Sequence, residues 1–128
     1  MTEPLAKILN KQLFGGDPFM DDKGHVPELI NEGWASYPEV LDTVMDALKP
    51  NIILEVGVWL GQSTFNMLER ALKHDPAASI VCIDTWLGSP EHWLDEEWKS
   101  QLRLKEGRPD IYSIFVDNVR AKGLQDHI

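Results

Sequence analysis

The chain has little cysteine, few basic residues and no long apolar run, and each of these absences excludes a class of function. Its single cysteine, Cys82, rules out an internal disulfide and a cysteine-rich zinc site. We expect Cys82 to be a small buried hydrophobic residue within a strand. No apolar run approaches the ~20 residues that cross a bilayer, and the N-terminus lacks the basic and apolar regions of a signal peptide. The sequence therefore predicts a cytoplasmic protein with no membrane partner.

Basic side chains are also scarce. The chain has 12 Lys and Arg residues and 21 Asp and Glu residues, which gives a net charge of −9. Neutralisation of phosphates by Lys and Arg supplies most non-specific affinity for nucleic acid, so most of this surface would repel it. We expect a small-molecule partner and no nucleic acid. An acidic balance also serves ordinary solubility, and we favour that interpretation over steering of a cationic cofactor.

The 128 residues, 43% of them hydrophobic, suit a single α/β domain with one core. Helical spacing of apolar residues and the positions of Pro and Gly predict the helices. Short apolar runs that end at an acid predict two buried parallel strands. The predicted helices cover 4–14, 38–48, 62–73, 91–104 and 110–122, and the strands begin at Ile52 and at Ser79.

The most informative stretch is 52–63, which predicts a strand, a tight turn and the first turn of a helix. Gly57 can adopt a positive φ and has no Cβ, so a ligand can lie against its backbone. The free N–H groups of the helix that begins after Gly61 point into the same crevice, at the carboxyl end of the strand. Open α/β sheets bind their ligands in that crevice.

Glycine spacing narrows the ligand class. The dinucleotide fingerprint G-x-G-x-x-G needs glycines at 57, 59 and 62, and the chain has Gly57, Trp59 and Gln62 there. No glycine-lysine pair is present to form a phosphate-binding loop. A nucleoside without phosphates is therefore the better prediction.

Two motifs resemble a known family. Glu55-x-Gly57-x-x-x-Gly61 looks like the first motif of class I S-adenosylmethionine-dependent methyltransferases, and Cys-Ile-Asp-Thr-Trp-Leu-Gly at 82–88 looks like the second. The residues of these motifs are most similar to those of the branch that contains macrocin O-methyltransferase and cephalosporin-hydroxylase-like proteins. The resemblance extends from about Gly33 to the end of the sequence. It implies a Rossmann-like parallel sheet with flanking helices, S-adenosylmethionine as cofactor, and a small-molecule methyl acceptor. Trp59 departs from the pattern, because many members have a glycine there.

The resemblance also implies roles for residues of the second motif. Asp84 would accept hydrogen bonds from the ribose diol, although an acid at a strand end also caps the following turn. Thr85 and Trp86 would lie against the adenine, and core packing is an equally good interpretation of Trp86.

In the first motif, Glu55 would face the methionyl ammonium, or would be a buried carboxylate bonded to nearby backbone N–H groups. Gly57 and Gly61 would allow close approach of the backbone to the cofactor. Gln62 and Ser63 would offer polar groups at the helix start, where Ser63 also suits a helix cap.

The resemblance divides the chain into an N-terminal helix and cover segment, 1–37, and the N-terminal half of a methyltransferase domain, 38–128. Trp34 and Tyr37 would line the cover or anchor it to the core. With only two strands before the sequence stops, we expect a sheet truncated after the second strand and its following helices. Such a sheet would need self-association, so a homo-oligomer is expected.

The missing half would carry the catalytic base and the acceptor site, so no catalytic residue is assigned. We expect weak or absent cofactor binding by this chain alone, and no turnover. No metal site is expected either, because His92 with Asp95 or Glu96 on one helical face is mostly an ordinary polar surface. Two alternatives remain open: a fragment of a nicotinamide-dependent oxidoreductase, and a non-catalytic module that dimerises through its apolar edge.

Overall fold

The computed structural model describes residues 3–20, 27–33 and 38–128. Within these ranges the chain is a mixed α/β structure with two strands and six α-helices. It also has 3₁₀ turns at Ser100–Leu102 and Gln125–His127. The strands are β1 (Ile52–Val56) and β2 (Ser79–Ile83). The helices are α1 (Leu5–Phe14), α2 (Pro38–Leu48), α3 (Gln62–Ala71), α4 (Pro90–Leu94), α5 (Glu96–Lys99) and α6 (Ile111–Lys122).

The two strands pair in parallel, with Ile52 opposite Ser79 and Val56 opposite Ile83. Helix α3 forms the crossover between the strands. A crossover is needed because the chain must return to the same end of the sheet before it can form a second parallel strand. The predicted α/β class with a parallel pair of strands is therefore confirmed. The prediction that both strands are buried is wrong for β1, because Leu54 and Val56 are 64% and 74% exposed. The finer assignment, a Rossmann-like sheet, stays a prediction.

One face of the sheet carries the core. Successive side chains of a strand point to opposite faces, so Ile53 and Glu55 of β1 share a face with Ile80 and Cys82 of β2. Residues of α3, α6 and the C-terminus pack on this face, with Phe19 from the N-terminal part. The buried members of this cluster are Phe19, Val58, Phe65, Leu68, Ile80, Phe115, Val119, Leu124 and Ile128.

Four predicted helices, which correspond to α1, α2, α3 and α6, are confirmed to within a few residues at each end. The single helix predicted over 91–104 is wrong, because the chain breaks at Asp95, whose backbone is extended (φ −112°, ψ 125°). The Asp95 side chain instead accepts a hydrogen bond from the Glu97 N–H and caps α5. A short polar side chain that bonds to the nearby backbone offers this alternative to helix continuation.

Two further expectations concern the ends of the chain. The segment 124–128, which resembles a lead-in to a third strand, forms the 3₁₀ turn Gln125–His127. Trp34 and Tyr37, expected in the cover segment, lie outside the described residues.

None of the helices in the described ranges is long and apolar enough to cross a membrane.

We predict that Gly61→Ala destabilises the fold by about 2–4 kcal/mol, through strain in the left-handed region together with overpacking. Gly61 has φ +92°, and a Cβ there would lie 2.7 Å from Cζ of Phe65 and 3.0 Å from Cε2 of Phe115. Urea unfolding measures the loss. Gly123→Ala is the control, because Gly123 also has a positive φ (+68°) but nothing lies within 4 Å of the added Cβ. Equal losses in the two variants would contradict the packing argument.

Candidate functional site

The two predicted motifs meet at the carboxyl ends of the strands, where the Asp84 carboxylate contacts the loop after β1. Oδ2 of Asp84 accepts hydrogen bonds from the backbone N–H groups of Val58, at 2.6 Å, and Trp59, at 3.1 Å. Oδ1 accepts from the N–H of Trp86 at 2.8 Å. One carboxylate therefore joins the turn after β1 to the turn after β2. It also performs the turn-capping role that was the alternative to ribose binding.

Trp59 and Trp86 both adopt the left-handed backbone conformation, with φ +54° and +59°. This conformation is rare for bulky residues and natural for glycine. The hydrogen bonds from both tryptophan N–H groups to Asp84 offset part of the strain.

Glu55 is buried, and its carboxylate bonds to side chains of the first turn of α3. Ser63 donates to Oε1 and Thr64 donates to Oε2, each through its hydroxyl at 2.5 Å. Glu55 is thus a buried carboxylate, as one interpretation expected, but hydroxyls rather than backbone N–H groups are its partners. Its burial raises the pKa of the carboxyl group, while the Ser63 and Thr64 hydroxyls oppose that shift.

Glu55 lies opposite Cys82 in the strand register. Burial, reinforced by the nearby Glu55 carboxylate, raises the pKa of the Cys82 thiol to about 12. The thiol therefore stays protonated near neutral pH and is not a nucleophile. The prediction that Cys82 lies within a strand is confirmed, but its side chain is half-buried rather than buried.

A small cleft of about 220 Å³ lies beside the turn after β1, and we call it the strand-end cleft. A Cβ added at Gly57, which has φ +83°, would meet nothing within 4 Å, so the backbone there is open to a ligand. Oε1 of Gln62 is buried and has no hydrogen-bond partner among the described residues. The residues that line the cleft are Gly33, Gly57, Val58, Trp59, Gln62 and Ser63.

The remaining predicted site residues lie around the cleft rather than in its lining. Gly61 is buried against Phe65, and this contact together with its φ of +92° explains why the position needs a glycine. Thr85 is exposed, and its Oγ1 accepts a hydrogen bond from the Leu87 N–H at 3.3 Å. The Trp86 ring stacks on Phe115 with 4.8 Å between centroids, so it takes part in core packing.

Asn118 is a contributor to the site that no local pattern in the sequence indicates. It is fully buried in α6 and exchanges two hydrogen bonds with the backbone of Ile30, at 2.8 and 2.9 Å. Its Nδ2 also donates to the carbonyl oxygen of Leu60 at 2.9 Å. Asn118 therefore holds the segment that contains Gly33 against the loop after β1.

His92 supports the site from α4. Its ring stacks on Trp59 with 4.6 Å between centroids, and its Nδ1 accepts from the Ser89 N–H at 3.2 Å. Because Nδ1 is the acceptor, the proton of the neutral ring is on Nε2. The sequence pattern suggested only a polar helical surface here, whereas the structure shows a contact that holds Trp59.

Comparison with known proteins adds no identification: no family model, curated protein or solved structure matches this chain. The candidate site therefore rests on its own geometry.

We predict that Asp84→Asn destabilises the fold by about 2–3 kcal/mol. An amide presents one oxygen instead of two, so N–H groups on one side of the side chain would face an NH₂ group. Urea unfolding measures the change. Asp75→Asn is the matched control, because Asp75 also caps a turn but, among the described residues, its side chain accepts a single hydrogen bond, from the Ala77 N–H to Oδ1. A loss in Asp84→Asn no larger than in Asp75→Asn would contradict the role of Asp84.

We predict that Glu55 gives the fold a dependence on pH. A raised pKa in the folded state means that the folded protein binds the proton more tightly than the unfolded chain does. The stabilising effect is present below the ordinary value of 4.5 and is lost as pH rises through the folded-state pKa. Urea unfolding at several pH values should show a smaller decline for Glu55→Gln than for the natural chain. Glu28→Gln, at an exposed acid, should leave the decline unchanged.

Proposed function

We propose that this chain binds S-adenosylmethionine at the strand-end cleft and belongs to the cofactor-binding part of a class I methyltransferase that acts on a small molecule. The observation that carries the proposal is the contact between the two motifs. Asp84 follows β2, Gly57 follows β1, and the Asp84 carboxylate bonds to the backbone of the two residues after Gly57. A nucleoside at this edge would have both an acid and an open backbone within reach.

The residues present fit such a ligand in three respects. The Gly57 backbone is open. The Gln62 Oε1 atom is a buried acceptor that lacks a partner within residues 3–20, 27–33 and 38–128. The Asp84 carboxylate has about four acceptor positions, and three are used by the N–H groups described above. The part of the chain that the structure describes therefore leaves one position for a ribose hydroxyl.

Cleft size sets the expected strength of binding. Sites for ligands of this size usually enclose about 300–1,000 Å³. The strand-end cleft has about 220 Å³, so it suits one end of the cofactor, with the remainder lying on the surface near Asp84. We therefore expect a dissociation constant of about 0.1–1 mM, which corresponds to about 4–5.5 kcal/mol.

Each residue then has a defined part in the proposed binding. When bound, S-adenosylmethionine supplies an activated methyl group on its sulfonium. Gln62 would accept a hydrogen bond from the part of the cofactor within the cleft, and Asp84 would accept one from its ribose. Glu55 acts through Ser63, a lining residue whose hydroxyl it holds, so Glu55 is a positioning residue. The acceptor and the catalytic base are not assigned to residues of this chain.

Titration with S-adenosylhomocysteine, followed by two-dimensional NMR of the backbone amides, tests the proposal. We expect shifts for Gly57, Val58 and Trp59 and for the indole N–H of Trp59. NADH, added separately, should leave these signals unchanged. Shifts with NADH and none with S-adenosylhomocysteine would favour the nicotinamide alternative, and no shifts at millimolar S-adenosylhomocysteine would contradict cofactor binding.

We predict that Gly57→Ala weakens S-adenosylhomocysteine binding by at least about tenfold, because a methyl group would stand where the cofactor lies. Gly107→Ala is the matched control. Gly107 has a similar φ, +78° against +83°, and a Cβ at either position would meet nothing within 4 Å. The two variants should therefore lose similar stability. If they also bound the cofactor equally well, the ligand would not lie against Gly57.

A further inference from the structure

Another cavity, of about 170 Å³, lies between α1 and the outer edge of β2, and we call it the edge cavity. Its lining comes from α1, the segment after α1, β2, α6 and the C-terminal residue, together with Trp86. It shares no lining residue with the strand-end cleft. The edge cavity is therefore separate from the site proposed for the cofactor.

Three consecutive residues of β2, Ile80, Val81 and Cys82, line the edge cavity. Side chains of a strand alternate between its two faces, so a cavity on one face alone would not meet three neighbours in sequence. Contact with all three indicates that the cavity lies along the edge of the strand. Strand β2 pairs with β1 on one side, and no strand within the described ranges pairs with its other side. The cavity therefore meets the unpaired edge of β2.

This unpaired edge presents backbone donors and acceptors. The Ser79 N–H bonds to the Asn51 carbonyl oxygen, so residue 79 directs its backbone groups towards β1. Alternate residues of a parallel strand bond to the same side, so Ile80 and Cys82 direct their N–H and C=O groups to the outer edge. No backbone group of the described residues bonds to them. Because Ile80 is fully buried and Cys82 is half-buried, leaving these groups unpaired costs free energy.

Aromatic rings form the wall of the edge cavity. Trp86 stacks on Phe115, with 4.8 Å between centroids, and is tilted against Tyr112 at 5.4 Å. Phe19 meets Phe115 edge to face at 6.5 Å. All four side chains line the cavity, and no charged residue among those that the structure describes does so. Walls of this kind favour a planar, neutral ring.

Volume limits the ligand to about one ring. An apolar cavity of about 150 Å³ accommodates benzene, whereas sites for drug-sized ligands enclose about 300–1,000 Å³. An extended peptide, which also suits an unpaired strand edge, would first have to displace α1. Helix α1 is held at this edge by a hydrogen bond from the Ala6 N–H to Oγ of Ser79, at 3.2 Å. The cavity therefore selects a small molecule over a strand.

We propose that the edge cavity binds a small, neutral, planar cyclic amide. The amide carbonyl accepts a hydrogen bond from the outward N–H of Cys82, and the amide N–H donates to an outward carbonyl oxygen of the same strand edge. The ring packs among the aromatic side chains. An apolar ring of the same size would leave the backbone groups of the edge unpaired, so the amide should bind more tightly.

Titration with 2-pyridone, followed by two-dimensional NMR of the natural chain, tests the proposal. We expect a dissociation constant of about 1–10 mM for a ligand this small. The Cys82 amide proton should shift and should exchange more slowly with solvent, because it becomes hydrogen-bonded. The Val81 N–H faces β1 and should keep its exchange rate.

Two matched compounds separate the hydrogen bonds from the packing. N-methyl-2-pyridone lacks the N–H donor, and benzene lacks both polar groups. Each should bind at least about tenfold more weakly than 2-pyridone, since each leaves at least one backbone group of the edge unpaired. Benzene bound as tightly as 2-pyridone would show a merely apolar cavity and would overturn the proposal, as would equal binding of the two pyridones.

A variant locates the ligand. Leu9→Trp should weaken 2-pyridone binding at least about tenfold, because Leu9 lines the edge cavity and the larger side chain fills it. Ile8→Trp is the matched control, since Ile8 is 39% exposed on α1 and does not line the cavity. Circular dichroism checks that both variants fold, and the comparison of compounds on the natural chain decides the matter if Leu9→Trp does not.

Three further results would contradict the proposal. No binding of 2-pyridone at about 50 mM would exclude a site of the expected strength. Unchanged binding by folded Leu9→Trp would place the ligand elsewhere. A Cys82 amide already protected from exchange before any compound is added would mean that the strand edge has another partner.

Discussion

The structure depends on the contact between the Asp84 carboxylate and the backbone of two separate turns. Three N–H groups, from Val58, Trp59 and Trp86, donate to this one side chain. Hydrogen bonds to a charged group contribute about 1.5–3 kcal/mol each, and leaving such donors unpaired costs a similar amount. These bonds hold two tryptophans in a backbone conformation that they rarely adopt. The position of both motif loops follows from that single carboxylate.

This arrangement would link stability and the proposed binding in one residue. The Asp84 carboxylate is already oriented by the backbone, so a ligand would not have to order it first. The same bonds limit the acid to a single further contact, because three of its acceptor positions are used. A ribose diol that needed both oxygens would have to displace an N–H group of the protein. Binding at this edge is therefore expected to be weak, but selective for the position of the ligand's hydroxyl group.

The periodic elements were predictable from sequence, because apolar spacing fixes which side of a helix or strand is buried. The contact of Asp84 with the loop after β1 was also predictable, since both follow parallel strands. Three features were not. Asp95 breaks a helix through a local hydrogen bond that competes with apolar periodicity, Trp59 takes a glycine-like φ, and Asn118 bonds to Ile30 across 88 residues of sequence. Each depends on a contact that leaves no periodic signal.

The alternation of side chains along β1 decides which of them reach the core. Ile53 and Glu55 point to the core, where Glu55 holds the first turn of α3, while Leu54 is 64% exposed on the opposite face. A shift of one residue in register would expose the buried carboxylate and bury Leu54, so the register is strongly specified.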